Sequence, residues 1–129
     1  MNTTFQLPEG LLGFEEVKEL TLTPIEVPFD ATFYELRSIE EGIGFIAVDP
    51  FKIESNYAVA LDEDTLQKLE VEASEDVIVL SLVTLKASLD TSTTNLKAPL
   101  LFNLRTKKAM QWVHTSTDFS VKHPLKGDA

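Results

Sequence analysis

The run Val77-Ile78-Val79-Leu80-Ser81-Leu82-Val83-Thr84-Leu85 decides the fold. It is apolar on both faces of a period-two chain and rich in β-branched residues, the pattern of a central strand covered on both sides. Upstream, Phe33, Glu35, Arg37 and Ile39 alternate with Tyr34, Leu36 and Ser38. Gly42-Ile43-Gly44 supplies a turn, and Phe45 to Val48 runs apolar until Asp49-Pro50, where proline cannot donate to a ladder. That pattern is a hairpin. Tyr57, Val59 and Leu61 alternate with Ala58 and Ala60 as a further short strand.

Downstream, the hydroxyl-rich Ser88 to Asn95 reads as a loop. Pro99 to Arg105 then places Leu100, Phe102 and Leu104 on one face, and Ala109 to Thr115 does the same with Met110, Trp112 and His114. Thr106-Lys107-Lys108 connects the two. Helical spacing is confined to a turn or two over Glu15 to Leu20 and to Asp62 to Leu69, and neither builds a helix layer. The expectation is an all-β, mostly antiparallel fold, a small β-barrel-like or strongly bent sandwich with one or two short helices. With no repeat and no linker, residues 1–129 read as a single domain with a flexible tail over 126–129.

The 129 residues carry 21 Asp and Glu against 11 Lys and Arg, a net charge of −10. A chain this negative repels phosphate backbones, so direct nucleic-acid binding is not expected. The absence of cysteine removes thiol nucleophiles, disulfides and thiolate zinc sites. MNTTFQLPEG at the N-terminus has neither a basic n-region nor an apolar h-region, and no apolar run nears the roughly 20 residues of a membrane helix. The reading is a soluble, cytoplasmic protein with no membrane association. The charge is polarised along the chain: residues 1–90 hold 19 acids and 5 bases, residues 91–129 hold 2 acids and 6 bases. Such asymmetry marks an interaction surface or a solvated acidic shell that keeps a monomer soluble.

Candidate chemistry resolves into structure. Asp62-Glu63-Asp64 is the densest carboxylate cluster, but consecutive acids ahead of a helical pattern read as an N-cap and first turn rather than a calcium loop. His114, Ser116 and Asp118 hold the letters of a hydrolase triad. On a strand they would stand about 6.5 to 7 Å apart, too far for proton transfer. Gly42-x-Gly44 has no helix behind it to hold a phosphate. Arg105, Lys107 and Lys108 form a small basic tip. Neither a catalytic, a cofactor nor a metal site emerges, and the residues alone indicate a binding protein.

Several stretches together resemble one family, the flagellar assembly factor FliW: LPEGLLGFEEVKEL (Leu7–Leu20), FIAVDPF (Phe45–Phe51) followed by Tyr57, EDVIVLSLVTL (Glu75–Leu85), TTNLKAPLLFNLRTKKAMQWV (Thr93–Val113) and HPL (His123–Leu125). They occur in the family's order from about Phe5 to Leu125, with Leu7 where Phe is commoner and Ala109 where Gly is common. The resemblance implies a non-enzymatic cytoplasmic regulator, monomeric on its own. Such a protein would bind the RNA-binding translational regulator CsrA, relieve its repression of flagellin mRNA, and bind flagellin in a partner switch. Candidate partner-binding residues are the acids Glu40, Glu41, Glu54, Asp62, Glu63 and Asp64, the apolar Phe51 after VDP, and Asn95, Lys97 and Pro99 of the NLKAP segment. For Phe51 the competing reading is core packing, and for NLKAP a turn that fixes strand register. The alternatives from other classes are a small acidic β-barrel ligand-binding domain, which needs an inward pocket, and a carboxylate-based hydrolase, which needs two acids facing across a cleft.

Overall fold

A computed structural model describes residues 3–116 and 118–126. Of the tail expected to be flexible, residues 127–129 lie outside the described residues. The strands are β1 (Thr3–Gln6), β2 (Glu19–Ile25), β3 (Phe33–Ser38), β4 (Ile43–Val48), β5 (Val77–Thr84), β6 (Thr93–Thr94), β7 (Leu100–Asn103), β8 (Lys108–Gln111) and β9 (His123–Pro124), with one helix, α1 (Glu63–Lys68). They form one sheet in the order β4-β3-β2-β1-β8-β7-β5-β6-β9, and β4 also pairs with β5. That extra pairing closes seven strands into a barrel. All its pairings are antiparallel except β1 with β8. The fold is all-β as expected, with one short helix, and of the two architectures expected it is the barrel.

Alternation builds the interior. Phe5, Leu20, Leu22, Leu36, Ala47, Leu80, Leu100, Phe102 and Ala109 are buried together, with the Phe5 and Phe102 rings edge-on at 5.0 Å. The barrel is filled by these side chains. A second cluster around Phe33, Val48 and Leu125 plugs one end.

Four local expectations change. Glu15 to Leu20 is not helical: Gly10 (φ +70°) bends the chain so tightly that a Cβ there would lie 2.4 Å from the Glu15 carbonyl oxygen. Leu11 bridges to Phe14, and β2 starts at Glu19. Tyr57 to Leu61 does alternate in burial but pairs with no strand. Period two reports which side of an extended chain is covered, not whether its backbone has a ladder partner. The strand over Ala109 to Thr115 stops at Gln111, leaving Trp112 and His114 beyond it. Finally β5 is less enclosed than its apolar run suggests: Leu80 and Ser81, which face opposite ways, are buried, but Val77, Ile78, Val79, Leu82 and Val83 are half-buried and Thr84 is exposed.

Part of the charge polarity of the sequence is neutralised across the fold, where Arg105 and Lys108 meet acids of the first 90 residues. Arg105 pairs with Glu72 (3.2 Å) and Asp76 (3.5 Å), Lys108 with Glu70, and Lys68 with Asp64 (3.3 Å) and Glu9 (3.6 Å). The basic tip between β7 and β8 thus meets the acids that follow α1. Asn103 locks this meeting from below: its Nδ2 donates to the carbonyls of Leu69 (2.8 Å) and Glu70 (3.1 Å), and its Oδ1 accepts from the backbone of Arg105 and Thr106.

Candidate functional site

Where β4 ends, the barrel wall opens. Val48 is the last residue of β4 and pairs with Ser81 in the middle of β5. Asp49 then caps a 3₁₀ turn, Pro50–Lys52, by accepting the Phe51 N–H at 3.0 Å. The N-terminal half of β5 therefore has no strand beside it on that side. A cleft of about 600 Å³ occupies the gap. Tyr34 and the β5 residues Val77 to Leu80 form one wall; Phe51, Val59, Leu61, Leu66 and Val71 form the other. Asp49, Thr32 and Ser74 supply its polar edge. Phe51 is 46% exposed, so the core-packing reading of that residue does not hold.

The loop that roofs the cleft is anchored by a buried joint. Tyr57 Oη donates to the Leu96 carbonyl at 2.8 Å and stands 3.0 Å from His114 Nε2. A phenol has one proton and a carbonyl can only accept, so His114 must carry its hydrogen on Nε2 and donate it to Tyr57. Around this pair Phe51, Trp112 and Phe119 stack edge-on or tilted, with ring centroids 4.5–5.4 Å from Tyr57 or His114. Burial pushes the Tyr57 phenol up, and it pushes the His114 imidazole down, helped by the nearby Lys97 ammonium. Ser116 and Asp118 take no part: the Asp118 N–H donates to Ser116 Oγ in a local turn.

The sequence candidates fall into three places. Asp62, Glu63 and Asp64 open α1 directly after the cleft-lining Leu61, and Glu63 lines a neighbouring depression with Gln67, Glu70, Glu72 and Arg105. Asp62 stands at the N-cap, but its Oδ1 accepts from the Thr65 hydroxyl (2.6 Å) and the Trp112 indole (3.3 Å), not from a helix N–H. The Thr65 hydrogen bond holds its carboxyl below the usual range, the direction opposite to a general acid. Glu54 lies in the loop between Phe51 and Tyr57, accepting the Asn56 N–H and facing His123 at 4.0 Å. In the β6–β7 connection, Asn95 Oδ1 accepts the N–H groups of Lys97 and Ala98, and Lys97 Nζ donates to the carbonyls of His114 and Ser116. Pro99 is buried there, its carbonyl accepting from Trp112. Glu40 and Glu41 sit apart, in the β3–β4 turn at the other end of β4, about 17 Å along the strand.

The fold thus puts Phe51 in the cleft wall, starts the Asp62 cluster one residue past the cleft-lining Leu61, holds Glu54 and the NLKAP turn beside the aromatic anchor, and separates Glu40 and Glu41. Sequence reasoning missed Tyr57, Trp112 and Phe119 as partners of His114. Tyr57 is 57 residues from His114, and no local pattern announces such a pairing. Among the described residues no three His, Asp or Glu side chains converge as metal ligands, and no helix is long and apolar enough to cross a membrane.

Residues 1–125 match the family model described as FliW protein. The chain belongs to the FliW family. A flagellar assembly factor FliW of Clostridioides difficile (strain 630) is 40% identical over 124 residues, 95% of this chain and 94% of that protein. The FliW flagellar assembly factor of Clostridium botulinum (strain Langeland / NCTC 10281 / Type F) is 39% identical over 92% of this chain and 82% of its own length. In three dimensions, the crystal structure of a flagellar assembly factor FliW superposes with a TM-score of 0.88 at 29% identity, covering 97% of this chain and 86% of that one. The seven-stranded mixed barrel is therefore the FliW fold, and the role that these relatives' names give is assembly of the flagellum.

Proposed function

We propose that the protein acts in the cytoplasm as a non-catalytic regulator that binds CsrA, relieves its repression of flagellin mRNA, and is itself engaged by flagellin. The observation that supports this reading is the lip of the cleft. There the half-exposed Phe51 ring lines the cleft, Asp62 and Glu63 follow its lining residue Leu61 in the chain, and neither acid is ion-paired among the described residues. A surface that holds RNA is basic. An acidic lip with an apolar anchor gains association rate by steering toward such a protein, gains specificity from the ring, and opposes phosphate approach through its own field. Docking beside the RNA-binding surface, without occupying it, is enough for inhibition.

The test is a titration of purified CsrA with this protein, with and without flagellin, at two salt concentrations. Binding that weakens with salt and with the Glu63→Gln variant, and that flagellin reduces, is expected. No CsrA binding at low salt overturns the proposal, whereas salt-insensitive binding removes only the steering argument. If saturating RNA displaces the protein from a preformed complex, inhibition is competitive instead.

The small-ligand alternative has one observation in its favour: the cleft's volume lies in the range of roughly 300–1,000 Å³ typical of ligand sites. Because the barrel itself is filled, such a ligand would sit at the wall opening and not in the lumen.

A further inference from the structure

The cleft beside β5 has apolar walls, from Phe51 round to Val59, Leu61, Leu66 and Val71, and Asp49 is the one charged side chain that lines it among the described residues. That carboxylate is half-buried and fixed in place: its Oδ1 accepts the Phe51 N–H at 3.0 Å as the cap of the turn Pro50–Lys52. Its other oxygen has no hydrogen-bond partner, and no base pairs with it among the described residues, Lys52 of the same turn included. The hydroxyls of Thr32, Tyr34 and Ser74, which also line the cleft, are likewise without hydrogen-bond partners there. A carboxylate drawn part-way out of water is stabilised by an opposite charge beside it. Asp49 lacks one, and a ligand can bring it.

A peptide strand is the poorer occupant. The β4–β5 register carried forward sets Pro50 opposite Val79, and Pro50 is buried with its turn packed on β5. No main-chain ladder is available at that edge, and the ladder is what gives an added strand its affinity. The cleft instead offers apolar surface and one negative charge. We infer that it binds a small amphipathic amine, an alkyl or aryl body carrying a protonated primary ammonium, with the ammonium at Asp49 and the body against Phe51, Val59, Leu61 and Leu66. Charge and apolar wall meet in the order such a molecule presents them, because Phe51, 46% exposed, follows Asp49 by two residues. The volume of about 600 Å³ admits a ligand of this class. A fatty acid has the same body and the opposite charge, so Asp49 and the net charge of −10 reject it. The inference gives the wall opening a ligand class and does not rest on the CsrA reading; either titration can fail without the other.

The probes are n-octylammonium, n-hexylammonium, 1-octanol and octanoate, titrated calorimetrically into the full chain at neutral pH. Octylammonium should saturate a single site, hexylammonium should bind roughly tenfold more weakly for want of two buried methylenes, octanol at least fivefold more weakly, and octanoate not at all. Asp49→Asn keeps an oxygen for the Phe51 N–H, so the turn retains its cap, and should bring octylammonium down to the level of octanol. Glu16→Gln removes the same charge at an exposed position outside the cleft lining and should change the affinity less than twofold. If Asp49→Asn misfolds, chemical shifts in the unaltered protein decide: on saturation with octylammonium the signals of Phe51, Val59 and Leu66 should move and those of Leu12 and Phe14 should not. No saturable binding at millimolar concentration, octanol or octanoate binding as tightly as the amine, equal losses in the two variants, or shifts confined to residues outside the cleft each overturns the inference. So does a capped Leu-Lys-Leu tripeptide that binds more tightly than octylammonium, which would assign the cleft to a partner's lysine.

Discussion

The two halves of β5 invert the expectation that the most apolar segment is the most enclosed. Val77 to Leu80 contains no polar side chain, yet three of its four residues are only half-buried and one of its edges has no strand beside it. Ser81 to Thr84 carries two hydroxyls, yet it is gripped by β4 on one edge and β6 on the other, and Ser81 is fully buried. The hydroxyl is tolerated because it is partnered: Thr94 Oγ1 lies 2.7 Å from Ser81 Oγ and 2.8 Å from the Leu82 carbonyl. Enclosure in this barrel follows from where neighbouring strands end, and β4 ends at Val48, two residues before Pro50.

The sharpest way to break this contrast is to truncate on the two faces of the open half. Leu80→Ala, facing the filled interior, should lose about 2–5 kcal/mol in urea unfolding. Val77→Ala, at the cleft, should lose less than about 1.5 kcal/mol, because its side chain is only half-buried. Equal losses would mean that the cleft is closed in solution.

Next in size is the joint that holds the roof. Tyr57→Phe removes the hydroxyl that serves Leu96 and His114. It should cost about 1–3 kcal/mol by leaving a buried donor and acceptor unmatched. Proteolysis within residues 53–61 should rise while the β4–β6 grip on Ser81 keeps its amides protected. Ser81→Ala tests the closed half alone and should cost about 0.5–1.5 kcal/mol in the same urea assay.

The last contrast is in pH. His114 is held neutral in the folded state by burial, with Lys97 adding to the effect, while the unfolded chain takes up a proton near pH 6.5. Stability is therefore complete above that pH and falls as pH drops below it, levelling once the folded imidazole also protonates. Tyr57 mirrors this on the alkaline side, where its raised phenol makes stability fall as pH climbs past about 10. Thermal melts across the acid window should show the decline in the unaltered protein and a reduced one in His114→Gln. If His114→Gln leaves the slope intact, the joint is not its source.

Legibility in the sequence followed locality. The β3–β4 hairpin, the β5 run and the α1 start could be read because alternation, a Gly-containing turn and an acidic cap act over a few residues. Phe51 was legible as a candidate but not as exposed, since VDPF does not say which way the chain leaves the sheet. The acid clusters were legible as charge and not as surface: Glu70, Glu72 and Asp76 are taken up by Lys108 and Arg105, which lie more than 25 residues away in sequence. Asn103 looked like part of a motif, and only the fold shows it pinning the end of α1.

By itself, then, the sequence determined an acidic, cysteine-free, strand-built protein of the FliW family. The first three follow from composition and short-range periodicity, which act residue by residue in any conformation, and the family follows from the resemblance of its motifs. Tertiary structure alone decided that seven strands close, that the closure is incomplete beside Val77 to Leu80, and that Tyr57 meets His114. Each depends on pairing between segments distant in sequence, where loop closure and register, not local preference, set the outcome.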